Sequence, residues 1–316
     1  MRKIILYLIV GVLTPLASAQ TFPSKPLRML VGYSAGGGAD ALARIVAAKM
    51  GEQLGQQVLV ENRGGAGATL AADAVAKAAP DGYTIMFADS ALLIAPAIYA
   101  RLPFDALKSF SPIGGAVTTP LVVVVNPAVA ATTTQELIGL LKADAGKYSY
   151  GSPGVGTVHH LAMELFKKQA GVNMLHVPYK GASAIVPDVI SGQLPIAIMS
   201  ASPALAQSKS GRLRAIAMTS PAKLPNVEWP ALADTLPGFD ASPRLFVIAP
   251  AGTPESIVSS LNATLRTVLS SPEVMEGIAK QGAAPDYTTP RELAARMAEE
   301  LQKWSQVARD SGAKAE

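Results

Sequence analysis

Two glycine-rich turns, each set between an apolar run and a helix-like stretch, limit this chain more than any other feature. The first is Gly32-Tyr33-Ser34-Ala35-Gly36-Gly37-Gly38-Ala39-Asp40, after the run Leu27 to Val31; the second is Gly151-Ser152-Pro153-Gly154-Val155-Gly156-Thr157, after Tyr148 to Gly151. A strand that feeds a helix through such a turn leaves backbone N–H groups and the positive end of the helix dipole facing the same space, which is equipment for holding an anion. Two such turns, about 120 residues apart, predict two α/β units gripping one small ligand from opposite sides.

The chain has room for both units, since 316 residues suffice for two domains with separate apolar cores. Its first residues stand apart. Arg2 and Lys3 precede the apolar run Ile4 to Leu16, and Ala17-Ser18-Ala19 fits the small-x-small rule of a signal peptide cleaved after Ala19, so a mature periplasmic protein is expected. Retention of the segment as an anchor is the alternative, although Gly11 and Pro15 break the run well short of the ~20 apolar residues of a membrane helix. There is no cysteine, which excludes disulfides, a thiolate nucleophile and Cys-based metal sites. Without Arg2 and Lys3 the chain has 25 basic and 23 acidic residues, a net charge of about +2, and no Lys/Arg run; nucleic acid is not an expected partner.

Periodicity predicts strands at 27–31, 58–61 and 84–88, with helices at 40–54 and 70–78 between them. This is repeated β-α-β, for which a mostly parallel sheet is expected. Leu121 to Val125, five aliphatic residues ended by Asn126-Pro127, reads as a buried strand able to cross between domains. The alternation then resumes: a helix from the capping box Thr133-x-x-Glu136 to Ala143, a strand at 148–151, a helix over 157–170, strands at 175–177, 194–199 and 213–218, and between them a helix ending near Gly192. A proline-punctuated connection leads to a further strand at 245–249, and three helices start at Thr253-Pro254, Ser271-Pro272 and Thr289-Pro290-x-Glu292, each with a cap signal.

The first turn also carries two motifs of catalysis. Gly32-x-Ser34-x-Gly36 matches the nucleophile elbow of serine hydrolases, but that elbow follows several strands whereas only one precedes Ser34. Gly36-x-Gly38-x-x-Ala41, with Glu61 ending the next strand, is a loose dinucleotide fingerprint, at odds with export away from a nicotinamide pool. Asp40 is placed to cap the first helical turn. His159 and His160 are adjacent, so they cannot share a helical face as paired zinc ligands do, and no metal site is expected. A buried or hydrogen-bonded structural role is expected for each histidine, with His160, which begins an apolar face with Met163 and Phe166, the one of the adjacent pair expected to face a ligand. Asp89-Ser90 and Tyr179-Lys180-Gly181 follow strands at their carboxyl ends, where open α/β sheets bind ligands.

Taken together, Val31 to Asp40 with Ala43-Arg44, Val60 to Gly67, Pro80 to Thr84, Gly151 to Thr157 with His160-Leu161-Ala162, Val177 to Gly181, Gly211 to Ala215 and Ala249 to Pro254 resemble the Bug family. These are periplasmic solute-binding receptors of tripartite tricarboxylate transporters. The resemblance implies a two-domain periplasmic binding protein of the Venus flytrap type (type II-like), with a carboxylate pinched between the two turns, largely by backbone groups and water. It implies neither an enzyme nor a cofactor, a monomer as the expected state, and a membrane permease as partner. With 121–125 and 245–249 as the crossings, the expected division is a signal peptide at 1–19, one domain from 20–124 plus 245–316, and a second from 125–244.

The expected ligand-binding residues are Tyr33, Ser34, Ala35, Gly36, Gly37, Gly38, Asp89, Ser90, Ser152, Gly154, Val155, Gly156, Thr157, His160, Tyr179 and Ser200. Where family members often have Phe and prolines in the first turn, this chain has Tyr33-Ser34-Ala35, which adds hydroxyls. No acidic residue follows the strand ending Ile198-Met199-Ser200, which favours plain carboxylic acids over amino acids. The alternative function is a secreted hydrolase acting through Ser34.

Overall fold

A computed structural model describes residues 22–179, 184–221, 224 and 227–314; the leader, Lys180 and Gly181 lie outside the described residues. The aliphatic runs form strands where expected and place them in two sheets. The first has the order β11 (Ala284–Pro285), β4 (Phe110–Thr118), β10 (Arg244–Pro250), β3 (Thr84–Asp89), β1 (Leu27–Val31) and β2 (Val58–Asn62). The second has the order β7 (Leu175–Pro178), β6 (Ser149–Ser152), β8 (Ile196–Ser200), β5 (Leu121–Val125) and β9 (Arg214–Met218).

Both sheets are mixed, which corrects the expectation of mostly parallel ones. The β-α-β repeats pair in parallel, β1 with β2 and β3, and β6 with β7 and β8. The strands that carry the chain between sheets, β4, β5, β9 and β10, run antiparallel to their neighbours. The passage itself lies at Thr119-Pro120, because β5 pairs with β8 along its whole length. There the Thr119 N–H donates to the Pro243 carbonyl at 3.0 Å, and Thr219 N–H to Leu121 O at 2.8 Å, so the outgoing and returning chains are tied side by side.

Ten helices over four residues long flank the sheets among the described residues: α1 (Gly38–Leu54), α2 (Thr69–Ala76), α3 (Ala91–Ile98), α4 (Thr134–Ala143), α5 (Val158–Ala170), α6 (Ile185–Ser191), α7 (Ala201–Lys209), α8 (Glu255–Leu269), α9 (Pro272–Lys280) and α10 (Pro290–Ser311). Several begin on the caps read from the sequence: Ser271 accepts from Val274 N–H, and Thr289 with Glu292 closes a full capping box, while Thr157, expected as the first residue of its helix, is the N-cap and accepts from His160 N–H. At α4 the box is displaced by one residue. Thr133 accepts from Glu136 N–H, but the Glu136 carboxylate reaches back to Thr132.

Leu42, Val46 and Met50 of α1 bury against Leu261, Leu265, Val274 and Ile278 of α8 and α9 on one side of the first sheet. Leu92 and Leu93 of α3 with Leu293 and Met297 of α10 cover the other. The same two helices continue into the second sheet's core. Ile94 and Ile98 of α3, and Trp304, Val307 and Ala308 of α10, pack among Val123, Tyr150, Leu161 and Phe166. At 1.5 Å per residue, the 22 residues of α10 run about 33 Å and serve both cores.

Candidate functional site

Both glycine turns leave the carboxyl ends of parallel strands, β1 and β6, and enter the N-termini of α1 and α5. In the first, residues 34–38 are exposed and Tyr33 is half-buried. Gly36 takes φ +83°, a conformation that favours glycine. It turns its N–H onto the carboxylate of Asp40, four residues on, at 2.9 Å. Asp40 is buried and also accepts from Arg44 and Asn62. Arg44, ahead of the backbone and amide donors, brings its carboxyl down to about 2, so it is ionised at any physiological pH. Asp40 therefore does not cap the first helical turn as expected, because its carboxylate reaches back beyond the N-cap Gly37 to Gly36. The N–H groups of Gly38, Ala39 and Asp40 are the first-turn donors that helix geometry leaves without an intrahelical acceptor.

Tyr33 joins this turn to the end of β3. Its hydroxyl donates to Asp89 Oδ2 at 2.5 Å, while Asp89 Oδ1 accepts from Ala91 N–H at 3.2 Å. Loss of solvent pushes the Asp89 carboxyl up to about 6, against the pull of these two donors and with the charge of Glu300 adding to it. The hydroxyl that distinguishes this turn is thus engaged inside the protein. Removing it by Tyr33→Phe leaves Asp89 with one fewer donor and should cost about 1–2 kcal/mol at neutral pH. A carboxyl with a raised folded value is stabilised by protonation, so the deficit should shrink as pH falls from 7.5 towards 5. Urea denaturation at the two pH values checks this.

Ser90 does not share this space. It is fully buried, donates to Glu300 Oε2 at 2.9 Å and accepts from Arg244 N–H at 3.1 Å. It belongs to an ion cluster where β10 enters the first sheet. The Arg244 guanidinium lies 2.6 Å from Asp240, 2.9 Å from Asp286 and 2.9 Å from Glu300, and Asp286 is shared with Arg296 at 2.7 Å. Burial disfavours the Arg244 charge, yet the three carboxylates outweigh it and its basicity is raised. Nothing in the sequence pattern marked this cluster, because its members come from four distant segments.

The second turn is built like the first. Gly156, at φ +75°, donates its N–H to His160 Nδ1, four residues on, at 3.2 Å. Ser152 Oγ lies 2.7 Å from His176 Nε2 and within 3.3 Å of Gly154 N, and Thr157 Oγ1 donates to Gly154 O at 2.8 Å. Val155 is 44 % exposed at the tip. The three histidines are all depressed to about 4, chiefly by burial, so they are neutral imidazoles at physiological pH. The Tyr179 N–H donates to Ser152 O, and its hydroxyl to Asp188 at 2.6 Å. Ser200 caps no helical N–H at the start of α7.

Each turn is tied to one end of α3: Tyr33 bonds Asp89, two residues before the helix begins, and Gly156 lies against Ile98 at its last residue. A Cβ placed on Gly156 would lie 2.9 Å from Ile98. Beside the first turn runs the segment at 63–68, which joins β2 to α2. A Cβ on Gly64 would lie 3.3 Å from Ser34 N. The residues that follow it, Gly65, Ala66, Gly67 and Ala68, all take positive φ, with Ala66 at +46° and Ala68 at +70°. Two alanines in this region cost about 1–2 kcal/mol each, and such strain gathers at functional sites. Ser34 hydrogen-bonds no histidine or acid among the described residues, and all three histidines lie around the other turn. Among the described residues no group of three or more His, Cys, Asp or Glu side chains is arranged to hold a metal, and no helix is long and apolar enough to cross a membrane.

Residues 42–313 match the family model described as the tripartite tricarboxylate transporter family receptor. Among solved structures, the chain is similar to the periplasmic binding protein BugD, at 30 % identity and TM-score 0.78 over 93 % of this chain and all of the other. It is similar to the R. palustris protein Rpa4515 with adipate, at 29 % identity and TM-score 0.81 over 93 % and 100 % of the two chains. It is also similar to MatC of Rhodopseudomonas palustris with bound malate, at 28 % identity and TM-score 0.76 over 90 % and 99 %.

Proposed function

Because this chain belongs to the tripartite tricarboxylate transporter receptor family, we propose that it is an extracytoplasmic receptor that closes on a small dicarboxylate between its two glycine turns. Family and structural neighbours are periplasmic solute-binding proteins, not enzymes, and Gly32-x-Ser34-x-Gly36 is accordingly a binding turn and not a nucleophile elbow. The observation that carries the reading is that each sheet supplies a glycine turn opening an α-helix N-terminus, the first held to Asp89 just before α3 and the second against Ile98 at its end. Helix-start N–H groups stabilise a carboxylate without a strong ion pair, so the ligand can be released. The solved relatives holding adipate and malate support a two-ended acid. Ser200, where an acidic side chain would be needed to pair an ammonium, supports a ligand without one.

In this reading the first sheet and the second sheet are the two lobes, and the tied chains at Thr119, Thr219 and Pro243 are the hinge. The receptor works as a monomer, exported by cleavage after Ala19, and hands its ligand to a membrane permease or a sensor. Tyr33 to Gly38, Asp89 and Ser152 to Thr157 line the cleft; Ser90 and the Tyr179 hydroxyl support it from inside the lobes.

Purified mature protein heated with C4 to C6 di- and tricarboxylates should give at least one saturable rise in melting temperature. At a ligand concentration 100 times Kd the gain is about 2.7 kcal/mol, which is about 4 °C for a chain of this size. Failure of every acid to stabilise the protein would sink the proposal.

A further inference from the structure

The two turns share a construction that the ligand-binding reading does not by itself require. In each, a glycine of positive φ gives its N–H to the side chain four residues later, which is the third residue of the following helix: Gly36 to Asp40, Gly156 to His160. Each acceptor is in turn followed four residues on by a partner of opposite kind. Arg44 lies 3.0 Å from Asp40, and Glu164 lies 3.9 Å from His160 Nε2. A carboxylate accepts from any direction and needs no particular proton. An imidazole accepts only through the nitrogen that lacks one.

On this basis, and resting on the proposed carboxylate site, we infer that His160 is a positioning residue for the second turn. Its Nδ1 lone pair holds the Gly156 N–H away from the ligand, so that the N–H groups of Val158 and His159 are the ones presented. The geometry requires the proton on Nε2, the nitrogen facing Glu164. The ring is fixed from its other side by His176, stacked at 3.9 Å and 10°, which itself stacks on Tyr150 at 4.9 Å and reaches Ser152 Oγ. The charged groups around the ring compensate one another: Glu164 accepts from the Tyr150 hydroxyl at 2.6 Å and from Lys167 at 2.9 Å. Burial supports the same state, since it favours the neutral imidazole. Protonation would set a ring N–H against the Gly156 N–H and bring a cation against the face of His176. His160, read from the sequence as a ligand contact, acts through the backbone instead.

Two substitutions of similar size separate this role from mere packing. In His160→Asn the side-chain oxygen takes the place of Nδ1 and still accepts; in His160→Leu nothing accepts. With adipate and malate as probes in calorimetry at pH 7, His160→Asn should bind within about threefold of wild type. His160→Leu should lose at least tenfold even where its melting temperature matches that of His160→Asn. Equal affinities for the two variants would overturn the inference. Nitrogen NMR of the unliganded wild type should find His160 as the Nε2–H tautomer, with a Gly156 amide proton that moves upfield in His160→Leu. An Nδ1–H tautomer would also overturn it. A wild type that binds neither acid would remove the carboxylate reading, and with it the ligand half of this inference, while the NMR result would still decide the ring's role.

Discussion

Gly156→Val should abolish ligand binding. At φ +75° a β-branched side chain is strained by about 1–3 kcal/mol, and its Cβ would lie 2.9 Å from Ile98 Cγ2, closer than real Cβ contacts come. The turn can escape only by moving away from α3, which withdraws the first N–H groups of α5 from the space between the turns. A displacement of this kind should lower affinity for the best dicarboxylate at least a hundredfold, about 2.7 kcal/mol. Calorimetry on Gly156→Val gives that number, and Gly156→Ala combined with Ile98→Ala separates its two causes. The double variant relieves the clash but keeps the backbone strain, so it should recover part of the affinity. Binding by Gly156→Val at the wild-type level would mean that this turn does not face the ligand.

The second large effect is expected on stability. Arg244→Met removes the cation among Asp240, Asp286 and Glu300, of which Glu300 is 5 % exposed. Breaking a buried pair from one side typically costs about 3–5 kcal/mol, because the remaining charge has lost its compensation. Combining Arg244→Met with Glu300→Gln should return more than half of that cost. Chemical denaturation of the two variants at pH 7 is the measurement, and a loss below about 1 kcal/mol for Arg244→Met would mean that water already compensates the cluster.

Sequence legibility divided along physical lines. Leu27–Val31 and Leu121–Val125 were read to the residue, because a short apolar run bounded by Gly or Pro, even one holding a single Arg28, has few other uses. Helix starts at Thr157, Ser271 and Thr289 were legible because capping is a local exchange between a side chain and the next turn. Missed were α3, β4 and α7. The α3 segment is apolar on all sides and contains Pro96, so it shows no amphipathic period; it is apolar all round because it serves two cores. In β4 the pair Gly114-Gly115 reads as a turn, yet the segment at 286–288 passes so closely that a Cβ on Gly115 would lie 2.5 Å from Asp286 O. Such a constraint is tertiary and leaves no local trace. The mixed sheet order was hidden for the same reason, since the direction of β10 depends on a return path of 25 residues between β9 and β10.

At the candidate site, Gly36 was legible as a turn residue because it acts within one short stretch of chain, but the direction of Asp40 was not, since its carboxylate folds back past the N-cap to Gly36. The second turn was recognised as a turn, but the direction of His160 was not, since a ring can face a ligand or fold back on its own backbone with the same sequence spacing. Ser90 was misplaced by one step of strand alternation: Asp89 points towards Tyr33, and Ser90 towards Glu300.

The position of α10 carries a consequence for how the two halves are joined. Residues of the last helix, Met297 and Trp304, finish the cores of the first and second sheets respectively. Neither core is therefore complete until α10, which follows the described strands in the sequence, has docked. Completion of the two halves is thereby coupled through one helix, so that a change in its docking is felt by both at once.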